Sequence, residues 1–180
     1  LQRRKNRRHK PGRAFENVYY KFDILANYGI YRDLHRHRQL TQEPQDLTTK
    51  HGYDAPKELI EAGFKEEYDK CMQKAKEAYE LVYKEFPKEA QYVVPFGYKI
   101  RWYINLNLRE VFHLTELRSS QQGHADYRRI AQLLYKKVKE VNPLLTEYLK
   151  FVDLKTYELE RIEAEKFTDK RIEEVKRKYG

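Results

Sequence analysis

Arg36 and Arg38 flank His37 in a run that closes an aromatic and cationic stretch beginning at Tyr28. A guanidinium is a planar fork of donors, so two of them held at the end of one short helix suit a phosphate or a carboxylate. The alternative is a solvated basic helix end, where cations also complement the helix dipole. A second polar set stands at Asn107, Arg109, His113 and Arg118. Asn107 can cap a helix by accepting from its first free backbone amides, and it is equally a candidate ligand. On an unbroken helix Arg118 returns near the Asn107 face, while His113 falls with Arg109 about a third of a turn away. Spacing by itself therefore does not show one convergent site. His35, His37 and His51 come nearest to a metal set, but alternate residues on a helix point apart, so His35 and His37 are poor co-ligands and no metal is expected. The chain has no glycine-rich phosphate loop and no Cys–His or Ser–His–Asp arrangement.

The elements that must position these residues are legible as periodicities. Val18 to Leu25 alternates apolar and polar residues, as a half-buried strand should, and leads into a short helix through Tyr31, Leu34 and His35. Gln39 to Pro56 is polar, contains Pro44, Gly52 and Pro56, and reads as a loop, a common place for ligand contacts. Lys57 to Phe86 reads as one long helix, with Ile60, Phe64, Tyr68, Met72, Ala75, Tyr79, Val82 and Phe86 at three- and four-residue intervals. Cys71 and Met72 are read as core filling within that stripe. Tyr98, Ile100, Trp102, Ile104 and Leu106 mark a second strand. Helices follow over Leu108–Arg118, about His124–Val141, and Leu144–Val152, with a break at Ser119–Gly123 and a stop at Asn142-Pro143. From Asp153 to Tyr179 the chain is charged and helix-prone, with a thin stripe of Leu154, Leu159, Ile162, Phe167, Ile172 and Val175 that suits an arm packed on another domain or subunit. The expected fold is α+β: a small antiparallel sheet packed with long helices. The expected division is a basic, mobile N-terminal arm over 1–13, a domain over 14–152 and a helical tail over 153–180.

The 180 residues, 40% of them hydrophobic, are enough for one sizeable core. A formal net charge of +9 points to polyanionic partners: nucleic acid, phosphorylated cofactors or acidic surfaces. One cysteine excludes an internal disulfide framework and fits a reducing compartment. No apolar run approaches a membrane span and nothing resembles a signal peptide, so the expectation is a cytoplasmic protein without membrane attachment. Leu1 in place of an initiator methionine fits a piece of a longer polypeptide.

Two blocks in order resemble the flavin-dependent thymidylate synthase family. The first is Arg36-His37-Arg38, preceded by a strand, a helix and the His9-Lys10-Pro11 turn. The second is Asn107-Leu108-Arg109 through His113 to Leu117-Arg118, followed by His124-Ala125-Asp126-Tyr127-Arg128. The resemblance covers His9 to Val152. It implies a homotetramer with active sites between subunits, FAD as cofactor, deoxyuridine monophosphate (dUMP) and methylenetetrahydrofolate as substrates, and NADPH as reductant. It also implies roles: His9, Arg36, His37, Arg38, Asn107 and His113 along the flavin nucleotide, Arg36 and Arg118 at the substrate, and Arg118 as the catalytic residue.

The pattern departs from the family after Arg38. Where the family has a serine, Asn-Glu, a second serine and Arg-Tyr, this chain has Thr41, Glu43-Pro44, Asp46 and Thr48-Thr49; a further family arginine is Gln91. Losing two phosphate-binding arginines and gaining a carboxylate disfavours a dianionic nucleotide by several kcal/mol, at roughly 1.5–3 kcal/mol per charged hydrogen bond. The expectation is a domain that keeps its flavin site and has lost much of its grip on dUMP. Two alternatives stand beside it: a noncatalytic assembly half of a tandem synthase, and a basic nucleic-acid-binding module that uses the arm and exposed tyrosines.

Overall fold

The computed structural model describes residues 4–157 and 160–179. In chain order a 3-10 turn at Arg13–Asn17 precedes β1 (Tyr19–Asn27), α1 (Tyr28–Leu34), β2 (Thr41–Pro44), α2 (Lys57–Glu61), α3 (Lys65–Tyr83), β3 (Lys99–Asn107), α4 (Leu108–Arg118), α5 (Ala125–Val141), α6 (Pro143–Thr146) and α7 (Glu160–Tyr179). The fold is α+β, with one three-stranded sheet in the order β1-β3-β2. The described residues form two compact units, one made of 4–20 with 106–157 and 160–179 and the other of 21–105.

In the 21–105 unit the central strand carries the core. Ile100, Trp102 and Ile104 alternate inward and are 3%, 1% and 4% exposed, as their two-residue period requires. β2 pairs antiparallel with β3, Thr41 against Asn105 and Pro44 against Trp102. This strand lies inside the segment expected to be a loop. It is polar and ends in proline because it is an edge strand, where a missing backbone donor costs no ladder bond. Arg101 of β3 and Asp23 of β1 form an ion pair, and the Tyr103 hydroxyl donates to Glu43 at 2.6 Å.

The long helix expected over 57–86 is two helices. Gly63 adopts φ +82° between α2 and α3, a left-handed conformation that ends the first helix and that a side chain would resist. Only the middle of the stripe is core: Met72 and Tyr79 are buried, whereas Ile60, Phe64 and Phe86 are exposed. Cys71, expected among the core residues, is exposed. It precedes Met72 by one position, and one position rotates a side chain about 100° around the helix, away from the buried side. The Tyr98 hydroxyl donates to the Met72 carbonyl at 2.7 Å, tying α3 to the start of β3. Gly97 permits that approach, since a Cβ there would stand 3.2 Å from Met72 Cε and would displace the Tyr68 hydroxyl.

In the other unit α4 packs against α5. Leu108, Val111, Phe112 and Leu114 of α4 and Ile130, Ala131, Leu134 and Val138 of α5 are all buried. The helix expected over 144–152 is the single turn α6; beyond it the backbone is held by side chains instead, as in the Asp153 amide donating to Ser119 Oγ at 2.9 Å. The N-terminal segment is also ordered differently from a mobile arm. Arg4 is buried, and its guanidinium donates to both carboxylate oxygens of Glu116, at 2.7 and 2.5 Å. The tail is helical as expected, with Ile162, Phe167, Ile172 and Val175 exposed. Leu1–Arg3 and Leu159 lie outside the described residues.

Candidate functional site

Asn27 and Asn107 act alike at the starts of α1 and α4. Each side-chain oxygen accepts from the backbone amide three residues on, Ile30 and Glu110 respectively, at 2.9 Å. Both strands thus pass into helices without an intervening loop, and the polar residues of each helix are fixed by a rigid strand.

In the 21–105 unit α1 ends at His35, and the Arg36–Arg38 triplet follows as a turn. His37 is 5% exposed, with its amide donating to the Leu34 carbonyl at 3.1 Å. Gln42 of β2 then locks the turn, because its side-chain amide donates to the carbonyls of both His35 and His37, each at 2.9 Å. The buried imidazole and the glutamine clamp leave Arg36 and Arg38 exposed on either side. Arg36 makes a loose ion pair with Asp33 at 3.6 Å and keeps 65% of its side chain exposed. Next to the turn runs an aromatic tier: Tyr28 stacks on Tyr31 and Tyr31 on His35, with centroids 5.7 and 5.4 Å apart. Trp102 meets Tyr31 edge-on at 5.4 Å. Burial raises the Tyr31 phenol above its ordinary range. The indole Nε1 of Trp102 and Oδ1 of Asn105 are buried without a hydrogen-bond partner among the described residues. A buried orphan donor carries a free-energy cost that a bound acceptor removes.

The stretch that departs from the family pattern lies in this unit too. Gln91, at a family arginine position, has its side-chain oxygen accepting from the Leu47 amide at 2.9 Å. Thr48 Oγ1 accepts from the Lys50 amide at 3.2 Å. Both polar groups are thus used to shape the 45–50 loop, with Leu47 and Thr49 buried beneath it and Asp46 exposed.

In the other unit, helix α4 and the His9–Pro11 turn are brought together by Arg109. Its Nε donates to the Pro11 carbonyl at 3.1 Å, and its Nη1 pairs with Glu16 at 2.5 Å. Arg13 and then Arg109 hold the Glu16 carboxyl below its ordinary range. The His9 ring is engaged locally, within 3.1 Å of the Asn6 side-chain amide and 3.4 Å of the Lys5 amide. His113 is exposed on α4, and Arg118 lies over the Tyr127 ring of α5 at 5.6 Å. His9, Asn107, His113 and Arg118 therefore belong to one unit, and Arg36, His37 and Arg38 to the other.

Sequence reasoning passed over Gln42 and the Arg4–Glu116 pair, and it read Trp102 only as a strand residue and Gln91 only as a replaced arginine. Glu116 carried a signal, because it lies four residues after the apolar Phe112 and shares its helix face. Gln42 and Gln91 carried none, since an amide side chain in a polar segment announces no partner.

A family model described as "Thymidylate synthase complementing protein" matches residues 3–144. Among curated proteins, a UPF0159 protein of Chlamydia pneumoniae is 48% identical over 162 residues, covering 90% of this chain and 30% of that protein. A UPF0159 protein of Chlamydia muridarum is likewise 48% identical, over 90% of this chain and 31% of its own length. One from Thermoplasma acidophilum is 42% identical over 164 residues, covering 90% of this chain and 33% of that protein. The chain spans about a third of the length of the curated relatives it matches. No helix among the described residues is long and apolar enough to cross a membrane.

Proposed function

This chain belongs to the thymidylate synthase complementing protein family, and from that premise we propose that it is a flavin-nucleotide-binding domain whose capacity to methylate dUMP has been lost or much reduced. The observation that carries this reading is the contrast within the 21–105 unit. Arg36 and Arg38 stay exposed in a locked turn, while Thr48 within the 45–50 loop and Gln91 from outside it, at the positions where the resemblance expects arginines, each accept from a backbone amide of that loop.

The residues present fit the phosphate portion of FAD. Two exposed guanidiniums are carried on a backbone that Gln42 clamps, so the turn itself need not be ordered when an anion binds. The Tyr28–Tyr31–His35 tier offers an apolar face against which a planar ring can lie. In the other unit the Asn107 side-chain oxygen caps α4, and the role the resemblance gives Asn107 toward the flavin falls to its amide nitrogen. A bound flavin supplies hydride-transfer chemistry. Considered within its own unit, Arg118 lies over the Tyr127 face, and the resemblance gives it the role of a donor to an anionic ring atom. At the dUMP end, the exposed Asp46 carboxylate repels a dianionic phosphate and neither Gln91 nor Thr48 supplies a cation.

The test combines flavin content with release of tritium from dUMP labelled at the pyrimidine 5 position, in the presence of methylenetetrahydrofolate and NADPH. Flavin bound at near one equivalent per chain, with no tritium release above background, is the expected result. Release with repeated turnover contradicts the loss of dUMP chemistry. A second reading draws on the relatives being about three times as long: the domain acts as an assembly half for another segment and is itself silent. It predicts no flavin on the isolated chain and flavin binding restored when that segment is supplied.

A further inference from the structure

The loop from Lys5 to Lys10 contains Lys5, Arg7, Arg8 and Lys10, all exposed. Arg13, a little further on, is paired with Glu16; the four loop cations have no ion pair among the described residues. Their backbone is nevertheless held at both ends. At the start, the buried Arg4 guanidinium pairs with Glu116 and donates to the Tyr148 carbonyl at 3.1 Å, with its plane near the Phe112 and Phe151 rings. The same guanidinium turns back on the loop, its Nε donating to the His9 carbonyl at 2.5 Å and its Nη2 to that of Arg7 at 3.4 Å. Asn6 closes the turn by accepting from the Arg8 amide at 2.9 Å. At the far end the Pro11 carbonyl accepts from Arg109.

We infer that this pinned basic loop binds the phosphate backbone of a nucleic acid, without regard to base sequence. A solvated basic tail needs no such anchoring, and an anchored loop with four free cations pre-orders its charges for a polyanion. The cations are distributed along a surface loop with no buried member among them, which suits a repeating row of phosphates better than one small anion. The loop has no exposed apolar residue to enter a lipid bilayer, since its remaining members are Asn6 and His9. The inference does not rest on the flavin reading: His9 is the one residue of this loop that the resemblance assigns to the flavin, and none of the four cations is.

The experiment is fluorescence anisotropy of the protein with a labelled 20-nucleotide oligodeoxycytidylate, chosen because it does not mimic a thymidylate product, across 50 to 300 mM salt. With four phosphates neutralised, log K against log salt should fall with a slope of about −3, at roughly −0.7 per contact on a single strand. The variant K5Q/R7Q/R8Q/K10Q should keep its melting temperature and flavin content, bind at least tenfold more weakly at 100 mM salt and lose most of that slope. Arg4→Ala, which frees the loop and keeps its charges, should weaken binding and leave the slope nearly unchanged. Unaltered affinity in the fourfold variant overturns the inference, as does its loss of flavin without loss of oligonucleotide binding. Binding of phosphatidylserine-containing vesicles in preference to the oligonucleotide also overturns it.

Discussion

Arg4 and Glu116 stand 112 positions apart in the chain and meet as a two-pronged ion pair, with 4% and 1% of their side chains exposed. The pair joins the N-terminal segment to the last turn of α4. Glu116 also accepts from the Phe151 amide at 3.4 Å, so the segment after α6 is drawn to the same carboxylate. Removing either partner leaves the other charge buried. Arg4→Ala and Glu116→Gln should each cost about 3–5 kcal/mol, and the two changes together should cost much less than the sum. Urea denaturation of the two single variants and the double variant measures this; additive losses would contradict a direct coupling.

Gln91 carries a prediction of regained function. The triple change Asp46→Ser, Thr48→Arg and Gln91→Arg replaces a carboxylate by a hydroxyl and supplies two guanidiniums where the family has them. Calorimetric titration should show dUMP binding at least tenfold tighter than in the parent, since each charged hydrogen bond contributes roughly 1.5–3 kcal/mol before the cost of reshaping the loop. Unchanged affinity would mean that the 45–50 loop does not face the substrate phosphate.

Glu16 makes stability fall with acid. Arg13 and Arg109 depress its carboxyl below the ordinary value of 4.5, so the folded protein holds the proton less tightly than the unfolded chain. The stabilisation is fully present above the unfolded value and is lost as pH falls through the depressed folded value. Glu16→Gln should therefore melt lower than the parent near neutrality, and the gap should close on acidification. A gap independent of pH would assign the effect to packing.

Gly63 sets the break between α2 and α3 through its φ of +82°. Gly63→Ala should lower stability by about 1 kcal/mol, read as a shift in the urea midpoint. The same change at Gly12, where φ is −64° and a Cβ meets nothing within 4 Å, should be neutral or slightly stabilising.

What the sequence discloses depends on whether a residue's role is periodic. β3 was readable because Ile100, Trp102 and Ile104 all face one core, and α4 because Asn107 caps a helix of well-spaced apolar residues. The long helix was misread across Gly63: apolar spacing continues through the break, and a single glycine is compatible with a helix until its φ is known. β2 was missed because an edge strand with one proline has no apolar alternation to show. Among the candidate residues, the sequence singled out Arg36–Arg38 and the α4 residues by type, since charge and aromatic clusters are visible without a structure. It could not reveal that His37 is buried while its neighbours are exposed, nor that Gln42 clamps them, because both depend on β2 lying beside the turn. Arg4 looked like one more cation in a basic arm; only the carboxylate brought to it by α4 distinguishes it.

The central claim is that Arg36 and Arg38 still grip a flavin nucleotide. Its most direct test is the flavin released from the purified protein, read by visible absorbance and set against chain concentration, for the parent and for Arg36→Ala/Arg38→Ala. Near one equivalent in the parent, falling at least tenfold in the variant with the melting temperature of the apo forms unchanged, is the predicted result. A parent that takes up no flavin even when FAD is supplied in excess, or a variant that binds it as well as the parent, would contradict the claim.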